Sequence, residues 1–513
     1  MKGAIADAAA LRSDESVRCD VCIVGSGAGG AVLAAGLVER GLSVVMLEEG
    51  GHHTKSEFDL QEAHAYPMLY QERGMRTTAD LAITILQGRS VGGSTTVNWT
   101  TCFRTPDSIF DHWRRVHGVE GIDASTLAPH FEAVEERLSI HEWPLELANA
   151  NNRVLLDGCR ALGWEVAPLR RNVRGCANSG YCGMGCPVDG KQAMHVTYIP
   201  DALEDGLSLC VNARAERIEV SGSKAVAVHA SALDPATDRP TGRRLVVRPK
   251  VLVSSAGAIN GPALFLRSGL DVNGRVGRRT FFHPVVVMAA FFDHPVSAFY
   301  GAPQAVGSHH FADRGEGRIG FFLETPPVHP MLAATAFGGF GKDQHDFLAR
   351  LPRMGAIISL AIDGLLPGDE GGTVSLRRDG RVRVDYPISD ALAESFRASC
   401  LAMARIQLAA GSREVHSLHT DPVILRSEAD LPRLEAAPYG ALRHSIFTAH
   451  QMGGCAMGAD PERSVVDPGL RHHRFRNLFV VDGSVFPTSL GVNPSETIYA
   501  LAHWARDRVA AAV

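Results

Sequence analysis

No stretch of the chain is apolar for the ~20 residues that a membrane-spanning helix needs. The longest apolar runs, such as 285–292, stop far short of that length. The amino terminus, MKGAIADAAALRSDESVRCD, lacks the apolar centre of a secretory signal, because Arg12, Asp14 and Glu15 interrupt it, so a cytoplasmic protein is expected. An excess of charge of one sign is also missing. The formal net charge is only −5, so no global field draws nucleic acid or an anionic membrane. No period of 20–50 residues repeats and no low-complexity tract stands out. There is no HExxH sequence. The pairs His52-His53, His309-His310 and His472-His473 are adjacent, and neighbours on a strand point to opposite faces. What is present is globular: 513 residues, 45% hydrophobic and 21% charged, enough to bury a large core without disulfide or metal staples. Glycine is abundant, with 52 residues, which points to tight turns or close backbone approaches to a ligand.

The first fifty residues concentrate that glycine. Residues 19–26 (CDVCIVGS) form an apolar run that ends in Gly25-Ser26-Gly27-Ala28-Gly29-Gly30. A helical pattern follows to Gly41, then a second apolar run, 42–47, that ends at Glu48. Strand, glycine turn, helix, strand and acid are the order of a dinucleotide site. Gly25 permits the turn, Gly27 lets backbone approach a pyrophosphate, and Gly30 lets the helix lie close to the sheet. The helix start offers free N–H groups to phosphate, and Glu48 can accept hydrogen bonds from a ribose. The motif alone leaves NAD and FAD both open.

A second glycine cluster spans 88–98, with Gly92, Gly93, Ser94 and Asn98 forming a loop rich in donors. Near the carboxyl terminus, His450 opens HQMGGCAMG, and a strand at 478–481 ends in Asp482-Gly483-Ser484. Asn493-Pro494-Ser495-Glu496-Thr497 then opens a helix. An Asp at a strand end followed by Gly-Ser can bind a polyol chain. Asn493 sits where its side chain can face a ligand. His450 is a candidate general base.

Together, GSGAGG, Glu48, GRSVGGSTTVN, His450 with GGC, and VVDGSVFPTSLGVNPSET resemble the glucose–methanol–choline (GMC) oxidoreductases, nearest the long-chain alcohol oxidases and cholesterol oxidases. Residues 257–270 look like that family's second signature, with Gly261 where Ser or Thr is usual. The resemblance implies an α/β fold with an FAD-binding Rossmann-like domain and a discontinuous α+β substrate domain. It implies oxidation of an alcohol to an aldehyde or ketone, with His450 taking the hydroxyl proton, flavin N5 the hydride, and Asn493 bonding the substrate oxygen. Glu324 would be a second acid near the substrate. Gly92, Gly93 and Asn98 would lie against the isoalloxazine, Asp482 and Thr497 at the ribityl and pyrimidine sides, and Ala215 at the adenine. Val97 stands where some members link FAD through a His, so non-covalent FAD is expected. The acceptor would be oxygen, a quinone or a cytochrome. A lyase on the same scaffold is an alternative.

Ten cysteines are mostly scattered, but Cys176, Cys182 and Cys186 cluster with C-x5-C-x3-C spacing. Three thiolates on such a turn can hold an iron–sulfur cluster, as in the family's sugar dehydrogenases, which pass electrons to a protein acceptor. The preferred reading is a structural Cys/Gly loop beside the cofactor. The cofactor domain is expected over 17–105, 200–285 and 440–513, with the strand 251–255 feeding Ala256. The substrate domain is expected over 106–199 and 286–439.

Overall fold

A computed structural model describes residues 3–337 and 339–513. Two sheets organise it. In the first, Ala4–Asp7, Ser208–Val211, Val44–Leu47, Glu15–Val24 and Pro240–Ser254 lie side by side as parallel strands. The long strand Pro240–Ser254 uses its far edge twice. Its end pairs in parallel with Leu478–Val480, and its start pairs antiparallel with Lys224–Leu233, which continues to Ala213–Ser221. The expected strand at 251–255 therefore begins eleven residues earlier, at Pro240. Residues 240–244 are exposed and carry no apolar run, so only the partner strand holds them extended.

The helix Ala28–Val38 follows the first glycine turn and is buried along almost its whole length. It packs on the carboxyl-terminal helix Ser495–Ala510 and on Tyr198–Glu204. Its first glycines let it lie tightly against the turn and the strand end after Val480. A Cβ on Gly30 would meet the Gly25 carbonyl oxygen at 2.0 Å, and one on Gly29 would meet the Val481 carbonyl oxygen at 1.9 Å. Gly25 itself has φ of 101°, a conformation that disfavours any other residue.

The second sheet is antiparallel through Ile424–Leu425, Glu414–Ser417, Val285–Phe291, Met354–Ala361, Phe321–Glu324 and Val306–Ser308. Its central strands are apolar throughout because both faces are covered. Val286, Met288, Ala290 and Ile357 share a core with the helices Ala150–Ala161 and Asp390–Ala409. The alternate residues Val285, Val287, Ala356, Ile358 and Leu360 face a large cavity between the two sheets. Thr84–Ile85 and Phe447–Thr448 join this sheet through Val285. Among the described residues no helix is long and apolar enough to cross a membrane.

Candidate active site

The cavity measures about 1480 Å³. It opens at the carboxyl ends of the parallel strands, where Val24, Leu47, Ala213, Ser255 and Asp482 all reach its wall. Ligands of open α/β sheets bind at that edge. Of the residues singled out from the sequence, Gly25, Gly27, Ala28, Glu48, Gly93, Ser94 and Asn98 line it. So do Ala215, Ala256, His450, Asp482, Gly483, Asn493 and Pro494. Ser26, Gly30, Gly92, Thr497 and Glu324 stand behind the wall.

The residues behind the wall hold those in front. The Ser26 amide and hydroxyl donate to Glu48 Oε2 at 3.0 and 2.6 Å, and the Gly50 amide donates to Oε1 at 2.8 Å. The Gly92 amide in turn donates to Ser26 Oγ at 3.1 Å, which ties the two glycine loops together. Burial raises the Glu48 carboxyl above its ordinary range while these donors pull it back. Asp482 bridges two further loops, accepting from the Gly257 and Ser484 amides at 2.8 Å each. Thr497 is buried and shares a hydrogen bond with Thr105 at 2.7 Å.

The helix Ala28–Val38 starts at Gly27 with no side chain capping it, so its first N–H groups face the cavity unclaimed. Nothing but Gly93 Cα, at 3.7 Å, comes near a Cβ built on Gly27. Asn98 Oδ1, at the cavity wall, is buried without a partner among the described residues. This donor-rich trough, carried by two glycine loops, fits a dinucleotide. The volume exceeds the ~300–1,000 Å³ of an ordinary ligand pocket, leaving room for a second molecule.

At the other end of the cavity, His450 Nε2 lies 3.4 Å from Asn493 Nδ2. Its Nδ1 lies 3.0 Å from Nδ1 of His283. Burial holds the His450 imidazole down to about 4, so it is neutral at pH 7. Glu324 is buried just behind the Asn493 amide, and among the described residues no donor lies within 3.5 Å and in line with either carboxyl oxygen. Burial pushes it up to about 8, partly opposed by the Asn493 amide. No ion pair engages it among the described residues. His283 had no signal in the sequence, since 167 residues separate it from its partner.

A GMC oxidoreductase family description matches residues 66–285 with its amino-terminal part and 367–502 with its carboxyl-terminal part. An uncharacterized GMC-type oxidoreductase of Mycobacterium tuberculosis is 34% identical over 98% of this chain and 77% of its own length. The chain belongs to the GMC oxidoreductase family. Another similar protein is a long-chain-alcohol oxidase of Arabidopsis thaliana, 30% identical over 95% of this chain and 66% of that one. Among solved structures, pyridoxine 4-oxidase from Mesorbium loti superposes with a TM-score of 0.72 at 21% identity, over 96% of this chain and 99% of that one. Formate oxidase of Aspergillus oryzae gives 0.70 at 16%, over 97% and 99%. These two share the GMC fold.

The cysteine cluster of this GMC oxidoreductase does not gather as a metal set. Among the described residues no three His, Cys, Asp or Glu side chains meet in a group that could hold a metal ion. The iron–sulfur reading of Cys176, Cys182 and Cys186 is therefore unsupported. Each sulfur has a separate local donor instead: the Asn178 amide for Cys176, Arg171 for Cys182 and the Lys191 amide for Cys186. The segment's tie to the site is Lys191, which is buried. Its ammonium donates to the carbonyls of Thr96, Asn98 and Cys182 at 2.5, 3.1 and 2.7 Å.

Proposed function

We propose that this GMC oxidoreductase binds FAD non-covalently and oxidises an apolar alcohol to an aldehyde or ketone. The reading is carried by the His450–Asn493 pair, set at the wall of a cavity that the two glycine loops also line. FAD, when bound, supplies the hydride acceptor. Gly25, Gly27 and the helix start at Ala28 would hold its pyrophosphate, and Glu48 its ribose. Asp482 and the loop of Gly93, Ser94 and Asn98 would hold the remainder.

His450 is the proton acceptor. It is neutral at pH 7, and the alcohol O–H bond breaks toward its Nε2. Asn493 orients the substrate oxygen beside it. The sheet wall beside the pair, with Val285, Val287, Ile358 and Leu360, presents hydrocarbon, which favours a long aliphatic, sterol or aromatic alcohol over a sugar. Enclosure between two sheets keeps water from the reacting atoms. We assign the first sheet and its loops to the cofactor domain and the second sheet with its two helices to the substrate domain.

The names of the similar oxidases support oxygen as the acceptor. The test is anaerobic: purified yellow protein is mixed with a panel of alcohols, the 450 nm flavin band is followed, and air is then admitted. Bleaching by a long-chain alcohol and return of colour in air are expected. A preparation that stays colourless after incubation with FAD ends the reading.

A further inference from the structure

We propose that His283 is a positioning residue that fixes the tautomer of His450 and so leaves the His450 Nε2 lone pair aimed into the cavity. The proposal deepens the reading of His450 as proton acceptor and rests on it. The placement comes from strand register. Gln451–Gly453 pairs antiparallel with Thr280–Phe282, with Phe282 opposite Gln451. One step further along, His283 stands opposite His450. Pro284 follows and carries no amide hydrogen to extend the ladder. The two rings meet edge to face at 5.2 Å and 82°.

Their Nδ1 atoms lie 3.0 Å apart, so one of them carries a proton and the other accepts it. Two lone pairs, or two N–H groups, would repel at that distance. The far side of His450 decides which. Its Nε2 faces the Asn493 amide nitrogen, a donor, and therefore carries a lone pair. In the neutral imidazole the proton then sits on His450 Nδ1 and is donated to His283 Nδ1. The tautomer is assigned from this network of partners, as it must be for any histidine. His283 keeps its own proton on Nε2, which is buried without a partner among the described residues. His283 is therefore a fixed acceptor with no route for passing a proton on. An apolar residue there would avoid burying an unpaired N–H, so packing alone does not call for an imidazole.

Both rings are neutral at pH 7. Burial holds His283 well below its ordinary value, and the neighbouring His450 and His309 add to that. The titratable groups beside the pair are His309, stacked on Phe322 next to His283, and Glu324 behind Asn493, while Tyr386 stacks on the neighbouring Phe282. The Tyr386 hydroxyl accepts from the Phe282 amide and donates to Asp363. When His450 takes up a proton, its Nδ1–H···Nδ1 bond to His283 becomes charge-assisted and strengthens. The geometry resembles the orienting acid of a hydrolase triad, with a neutral acceptor in place of a carboxylate.

The decisive measurement is the ¹⁵N spectrum of the holoenzyme labelled at its histidine rings, with His450→Gln used to assign the signals. A protonated Nδ1 and bare Nε2 on His450 are expected, and a proton on Nε2 in the wild type overturns the proposal. The second arm uses FAD-loaded variants and anaerobic bleaching by 1-dodecanol. His283→Leu should keep its FAD, reduce it more slowly by on the order of a hundredfold, and shift the pH midpoint of that rate. His283→Asn places an oxygen acceptor where Nδ1 stood and should recover much of the rate and the midpoint. A His283→Leu holoenzyme with the wild-type rate and midpoint also overturns it. If the wild type is bleached by no alcohol while the spectrum shows Nδ1–H, the functional reading fails and the tautomer assignment stands. Should the variants not fold, the wild-type spectrum alone decides.

Discussion

His450 is suited to the proposed role of base because its surroundings keep it uncharged. Removing it should leave the cofactor trough intact, since that trough is built by other elements. His450→Ala is expected to retain FAD and to reduce it about 10²–10⁴-fold more slowly, the usual worth of a positioned base. Stopped-flow bleaching of the loaded variant measures this. The rate in the wild type should fall as pH drops toward about 4, where the imidazole takes up a proton from solvent and can no longer accept one from substrate. Glu324 stands behind Asn493. With its carboxyl pushed up to about 8, it is a neutral acid at pH 7 and becomes an unpaired buried anion above 8. Glu324→Gln has nearly the same shape and never ionises. Its rate at pH 7 should stay within a few-fold of the wild type, and any inflection near pH 8 should vanish. A Gln variant that keeps that inflection would show another group to be responsible.

Elements in this molecule are locked to one another by backbone contacts that tolerate no extra atom. The turn from Glu15–Val24 into Ala28–Val38 is one such place. Gly30→Ala drives a methyl into the Gly25 carbonyl, which must move. Overpacking of this kind costs about 1–3 kcal/mol. A lower thermal midpoint and weaker FAD retention are expected together, because the displaced carbonyl belongs to the pyrophosphate turn. Lys191 locks a different pair. Its ammonium holds the carbonyls of Thr96 and Asn98, which flank Val97 in the second glycine loop, and the carbonyl of Cys182. Burial lowers its proton affinity to about 8, so it stays largely charged at pH 7. Lys191→Met leaves three buried carbonyls without that donor. FAD should then dissociate faster on dilution, while the substitution of an exposed lysine such as Lys224 should change nothing.

Over the whole molecule, buried titratable groups of both kinds set the pH range of stability. His450, His329, His444 and His472 are each held down to about 4 by burial. Unfolded imidazoles protonate near 6.5, so below that pH unfolding takes up protons and stability is lost as pH falls. Glu324 and Glu496 are raised to about 8 and Asp363 to about 7, again chiefly by burial. Their unfolded counterparts ionise near 4, so unfolding releases protons and stability is lost as pH rises toward 8. Well above about pH 6.5 the acids dominate. Below it the histidines, joined by His283, outweigh them. The thermal midpoint of the FAD-loaded protein should therefore peak between about pH 6 and 7 and fall on both sides. A midpoint that climbs steadily to pH 9 would contradict this balance.

The sequence by itself determined the parts whose physics is local. A glycine turn must sit between a strand and a helix if backbone is to approach phosphate, and GSGAGG ahead of Glu48 carries that requirement within thirty residues. The unbroken apolar run at 285–292 likewise suits a strand buried on both faces. Tertiary structure decided what depends on pairing across distance. The strand Pro240–Ser254 extends through exposed residues because a neighbour supplies its hydrogen bonds. Glu324 falls behind the cavity wall and not on it, because its strand packs behind Asn493. Cys176, Cys182 and Cys186 have the spacing of a cluster, yet the turns between them give each sulfur a separate partner. His283 meets His450 only because two short strands share one antiparallel register, and no spacing along the chain encodes that meeting.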